Sequence, residues 1–129
     1  MIRARNAAGT TIGSSGNNVI IDMSSINRGW NLGYPISNLT NKGNIPKWIT
    51  VRQRFWKNEA FYNPEKYNTS NLSRMQKGLA PQRVNPLTGT LESMELHHTP
   101  PMREGGLFEF QQVWPEEHAL IDSYRHAGY

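Results

Sequence analysis

The clearest helical pattern in the chain runs from Trp48 to Ala60, where apolar residues stand at 48, 51, 55 and 56 with basic residues between them. Steps of three and four put side chains on one face of an α-helix, so the spacing predicts an amphipathic helix with a basic outer side. A shorter helix is predicted over 69–77. Thr69-Ser70-Asn71 supply N-cap residue types, Leu72 and Met75 stand three apart, and Lys77-Gly78 provides a C-terminal stop. Further on the period changes. From Leu91 to His97, Met94 and Leu96 alternate with polar neighbours, and Leu107 to Trp114 reads as another short strand. Pro100-Pro101 and Gly105-Gly106 punctuate the loop between these strands. Pro115-Glu116-Glu117 then places proline at a first helical position and acids in a first turn, where the helix dipole favours them. That predicts a helix running to about His126 and stopping at Gly128, so the C-terminal unit reads strand, loop, strand, helix.

The N-terminal part has neither period. Residues 1–18 are rich in Gly, Ser, Thr and Asn around Gly13-Ser14-Ser15-Gly16, the composition of a leader or linker. Val19 to Met23 reads as a short strand. The stretch onward to Pro46 scatters Trp30, Leu32, Tyr34, Ile36 and Leu39 among Asn, Gly and Pro, as an irregular wrap over a core does. A length of 129 residues fits one domain, assigned to 19–129, of the α+β class. Within it Trp48, Phe55, Trp56 and Trp114 have the spacing of core residues and not of a base-stacking platform.

Charge changes the picture because of where it lies. Residues 1–86 hold twelve Lys or Arg against three acids, and residues 87–129 hold two Arg against seven acids, for an overall net charge of +4. A basic half suits a phosphate backbone, and an acidic, histidine-bearing half suits a cation. Arg52, Arg54, Lys57, Arg74 and Lys77 lie on the basic helical stretches and are expected to grip a nucleic-acid backbone without reading its sequence. Mean hydropathy is −0.67, and no apolar run approaches the roughly 20 residues that a membrane-spanning helix needs. The first residues have no apolar core of a signal peptide. With no cysteine, any metal must be held by imidazole, carboxylate or amide oxygen.

All four histidines, His97, His98, His118 and His126, fall in the last 33 residues. The adjacent pair ends the first of the two strands, and the other two are placed on the final helix. Eight residues of helix rise about 12 Å, so His118 and His126 can share a face without both reaching one ion. Neutral imidazole binds divalent transition metals, and a further imidazole titrating near neutrality suits a general base that activates water.

Three segments together carry a resemblance: Met94-Glu95-Leu96-His97-His98-Thr99-Pro100, then Arg103-Glu104-Gly105-Gly106, then Trp114-Pro115-Glu116-Glu117-His118 through to Arg125-His126. With Val51 to Ala60 and Asn71 to Pro81 upstream, they resemble the Leu-His-His class of the HNH/endonuclease VII nuclease superfamily. Such domains occur at the C-termini of bacterial polymorphic toxins, including Rhs-type proteins. The likeness covers roughly residues 48–129.

The resemblance implies a ββα-metal, treble-clef-like core at about 91–127, with additional short helices and an irregular N-terminal segment. It implies a metal-dependent endonuclease hydrolysing DNA, with one divalent ion (Mg, Mn, Ni or Zn). The implied metal ligands are His97, His118 and His126, with His98 the base. His118 stands where the superfamily usually has Asn, which leaves ligand or orienter of the base as its two roles. Arg103 and Arg125 are expected at phosphate, while Glu95 and Asp122 are expected to accept from ligand imidazoles and fix their tautomers. The implied biology is a larger toxin parent, secreted or injected, acting in the target-cell cytoplasm and neutralised in the producer by a cognate immunity protein. An RNase on the same scaffold and a non-catalytic, zinc-containing nucleic-acid-binding domain are the competing readings.

Overall fold

The computed structural model describes residues 28–99 and 108–128. The expected leader 1–18, the strand Val19–Met23, the Pro100-Pro101 and Gly105-Gly106 signals, Arg103 and Leu107 lie outside them. Among the described residues the elements run α1 (Trp48–Tyr62), a single 3-10 turn (Pro64–Lys66), α2 (Thr69–Gln76), β1 (Gln82–Val84), β2 (Leu91–Ser93), β3 (Glu95–His98), β4 (Phe110–Val113) and α3 (Pro115–Ile121).

Helix α1 is the spine of the fold. Its buried side holds Val51, Phe55, Trp56 and Ala60, and also the polar Arg54, Asn58 and Glu59. Arg54 and Asn58 are inside because the irregular wrap before the helix needs partners for its backbone, while Glu59 accepts from Asn63 and Tyr67 beyond the helix. Arg54 Nη1 donates to the carbonyls of Ile36 and Asn38 at 3.1 and 2.6 Å, and the Asn58 amide donates to Tyr34 O and accepts from Gly33 N. The wrap carries few backbone pairs of its own, so these side chains satisfy carbonyls that burial would otherwise strand. Ile36 is thereby held in the core with Phe55, Trp56, Met75, Leu96 and Phe110.

Helix α2 begins at Thr69, as expected, but its cap is the preceding Asn68, whose side chain accepts from Asn71 N at 2.8 Å. It ends at Gly78, whose φ of +84° a side-chain-bearing residue rarely adopts; a Cβ there would sit 3.0 Å from Gln53.

The expected strand from Leu91 to His97 is two strands. Leu91–Ser93 pairs antiparallel with Gln82–Val84, and Glu95–His98 pairs antiparallel with Phe110–Val113. Met94 marks the switch: its N–H donates to Pro81 O, one step further along the β1–β2 register, and the next residue, Glu95, pairs with Val113 instead. The hairpin partner Gln82–Val84 stands between Pro81 and Pro86. Asn71 supports it from α2, donating to Gln82 O and accepting from Gln82 N.

The final helix also differs from its expected length. It stops at Ile121, and Asp122 is its C-cap at φ −144° and ψ 106°. Glu117 closes its start by accepting from Trp114 N at 2.8 Å. Trp114, expected in the core, is only half-buried, and the Arg83 guanidinium stacks over its ring at 4.2 Å. Arg83 also pairs with Glu92 and Glu116, joining the β1–β2 hairpin to the start of α3.

Candidate metal centre

Strand β3 is buried along its whole length, and its alternation sorts the chemistry. Leu96 and His98 face the core side. The His98 ring lies 4.8 Å from both Trp48 and Phe110, centroid to centroid. Glu95 and His97 face the other side, where α3 packs. The two adjacent histidines therefore stand in different surroundings.

On the α3 side the His97 and His118 rings are 5.2 Å apart. Asp122 completes a group of three whose donor atoms all lie within 4.8 Å of one another. Asp122 Oδ2 is 3.4 Å from His97 Nδ1 and 3.8 Å from His118 Nε2, and its Oδ1 accepts from Tyr124 N. Bonds of about 2.0–2.2 Å to one ion put donors roughly 3–3.5 Å apart, close to these separations. Two imidazoles and a carboxylate are also a donor set that divalent transition metals take. The residues present fit such an ion.

Glu95 organises the centre from behind. Its carboxylate can only accept, so the 3.0 Å contact to His118 Nδ1 fixes that nitrogen as the N–H and leaves Nε2 to face Asp122. Arg125 donates Nε to one oxygen and Nη2 to the other, each at 2.7 Å, and Gly128 N adds a bond at 2.9 Å. Burial pushes the Glu95 carboxyl up, but the bonds from Arg125, Gly128 and His118 outweigh it and hold the group below the usual carboxylate range. His98 moves to about 4, chiefly through burial, with the charges of His97 and His118 adding to it. It is neutral at pH 7, and its Nε2 is buried with no hydrogen-bond partner among the described residues.

The other expected site residues fall in several places. His126 is exposed and lies past the end of α3, outside the group of three. Arg52 is half-buried on α1; burial lowers its pKa while the Glu95 charge pulls the other way, which marks its nearness to the centre. Arg54 is buried and spends its guanidinium on the Ile36 and Asn38 carbonyls, which removes it from the exposed cationic array expected of α1. Lys57 lies on the outer side of α1, lining an open groove with Trp30, Thr40, Asn41 and Gln53. Arg125 is held by Glu95. Asp122, expected only to orient an imidazole, sits where a ligand would. The signal for it is the four-residue step from His118, which puts both on one face of a helix.

The described fold and site define a small α+β domain with a two-histidine, one-aspartate centre between a β-strand and a short helix. The chain is 32% identical over 111 residues to Colicin-E7 of Escherichia coli, an alignment that takes in 77% of this chain and 19% of the colicin. It thus spans about a fifth of the length of the relative it matches. No family model matches the chain, and no solved structure matches it. No helix among the described residues is long and apolar enough to cross a membrane.

Proposed function

We propose that this chain is an HNH-type endonuclease domain of a bacterial toxin, hydrolysing phosphodiester bonds of DNA with one divalent ion held by His97, His118 and Asp122. The observation that carries the reading is the convergence of those three donors, backed by a Glu95 that fixes the tautomer of His118. When bound, the ion supplies Lewis-acid stabilisation of the charge that develops on the scissile phosphate and its leaving oxygen. His98 takes the proton from the attacking water. Its Nε2 is buried with no hydrogen-bond partner among the described residues. Burial lowers its pKa to about 4, below the near-neutral value expected of the base. The ring is thus neutral at pH 7, and the role requires water to reach that nitrogen. Arg52, beside the centre, and Lys57, farther along α1, provide positive charge for the DNA backbone, and Arg103, outside the described residues, is expected to add to it.

The likeness to a colicin supports the toxin assignment, and with it a larger parent chain of the polymorphic-toxin kind, such as an Rhs protein, that is secreted or injected. Action in the target-cell cytoplasm and a cognate immunity protein in the producer complete the proposal. The test is a plasmid-nicking assay across Mg, Mn, Ni and Zn, with chelator, matched RNA, and the His97→Ala and His98→Ala variants. Nicking of DNA that needs metal and both histidines supports the reading. Cleavage by the His98→Ala variant at the parent's rate removes the base from the mechanism. RNA cleavage without DNA cleavage moves the substrate class, and metal binding without cleavage of either moves the protein to a non-catalytic zinc domain.

A further inference from the structure

Arg125 has the residue type of a phosphate contact and a position close to the proposed centre, but its geometry assigns it a different task. Three hydrogen bonds reach Glu95 from the segment beyond α3: two from the Arg125 fork at 2.7 Å and one from Gly128 N at 2.9 Å. We propose that this C-terminal segment, Arg125 to Gly128, is a latch that holds the Glu95 carboxylate in register with His118, and that Arg125 is a positioning residue for metal binding. The proposal rests on the metal centre described above.

An imidazole binds an ion through one nitrogen only if the other carries the proton, and the partner of that N–H sets both tautomer and ring angle. For His118 the partner is Glu95 Oε1. Glu95 is 2% exposed, so water does not hold its carboxylate in place. A lone side chain on a short strand can rotate, but a two-pronged guanidinium fixes the carboxylate plane as well as its position. The Arg125 fork takes one donor to each oxygen, and the oxygen that receives Gly128 N is the one turned away from His118. Gly128, whose N–H makes that bond, has φ +81°, a conformation that few other residues adopt. Two of the five guanidinium N–H groups of Arg125 and the Gly128 N–H are thus committed inward, and that pair of guanidinium donors cannot turn to a phosphate without releasing Glu95.

Three measurements test this on the intact chain. Ni2+ and Zn2+ are titrated calorimetrically into the parent, Arg125→Ala and Arg125→Lys, with folding checked by circular dichroism. The tautomer of His118 is read from imidazole 15N shifts in the metal-free protein. The salt dependence of DNA binding is measured without metal. The expected result is a metal affinity lowered roughly ten- to hundredfold in Arg125→Ala, as loss of a group orienting a metal-bound histidine gives. Partial recovery in Arg125→Lys, an Nδ1–H tautomer in the parent that becomes mixed in the variant, and an unchanged salt slope complete it. An unchanged metal affinity together with a salt slope reduced by about one makes Arg125 a phosphate contact and overturns the latch. Should Arg125→Ala fail to fold, Arg125→Lys and the parent's tautomer decide, and an Nε2–H tautomer in the parent sinks the proposal. A parent that binds neither ion overturns the metal centre itself, whereas a parent that binds them with Arg125→Ala unaffected overturns only the latch.

Discussion

Glu95 and His118 are 23 positions apart in sequence, yet Oε1 of the first lies 3.0 Å from Nδ1 of the second. The contact joins strand β3 to helix α3 through a buried carboxylate, and its chemical result is a histidine with one nitrogen already assigned. Substituting Glu95→Gln keeps the volume but lets the amide donate as well as accept. Metal affinity is expected to fall roughly ten- to hundredfold, read by calorimetric titration of Ni2+ or Zn2+. An affinity equal to the parent's would show that the tautomer is set elsewhere.

Asp122 and His126 make opposing predictions. Asp122→Ala removes one of the three converging donors and is expected to weaken metal binding by at least the same ten- to hundredfold. His126→Ala removes an exposed ring beyond the helix and is expected to change it by less than about threefold, under 1 kcal/mol. If the two variants exchange these outcomes, the ligand set is the one the resemblance implied.

His98 is not among the three converging donors, and its ring lies against Trp48 and Phe110. His98→Ala is therefore expected to abolish plasmid nicking while metal affinity stays within about threefold of the parent's. Loss of metal together with activity would place His98 among the ligands and leave the base unassigned.

Two cations of α1 separate fold from substrate. Arg54→Ala strands the buried Ile36 and Asn38 carbonyls and is expected to cost about 2–4 kcal/mol in urea unfolding. Lys57→Ala is expected to leave stability within about 0.5 kcal/mol and to lower the salt slope of DNA binding by about one. Equal stability losses in the two variants would contradict this division.

Tyr67 predicts an alkaline weakness away from the centre. Its hydroxyl lies 2.7 Å from Glu59 Oε2 and 3.1 Å from the Gln112 side-chain amide. Burial, then the bond to Glu59, raise its pKa far above the phenol's ordinary value. The folded value exceeds the unfolded one, so this contribution is complete below about pH 10 and is lost as pH climbs toward the folded value. Thermal unfolding should show stability declining above pH 10 in the parent, with a shallower decline in Tyr67→Phe. Parallel curves would remove Tyr67 as the cause.

The sequence by itself determined the local pieces. The apolar spacing at 48, 51, 55 and 56 fixes α1, Thr69-Ser70-Asn71 mark the first turn of α2, and the Pro115-Glu116-Glu117 opening starts α3, because caps, helix periods and dipole charges act within a few residues. His97, His98 and His118 were legible for the same reason, being the chemically competent side chains that a strand and a helix carry. Only the tertiary structure decided which of them meet. A two-residue period cannot say that the chain changes partners at Met94, since pairing depends on strands distant in sequence. Helix length decided between Asp122 and His126: α3 ends at Ile121, so the residue four beyond His118 keeps its direction and the one eight beyond does not. The basic residues looked alike in one dimension. The carbonyls of an irregular wrap claimed Arg54 and the buried Glu95 claimed Arg125, because a buried polar group must find its partner wherever the folded chain brings one.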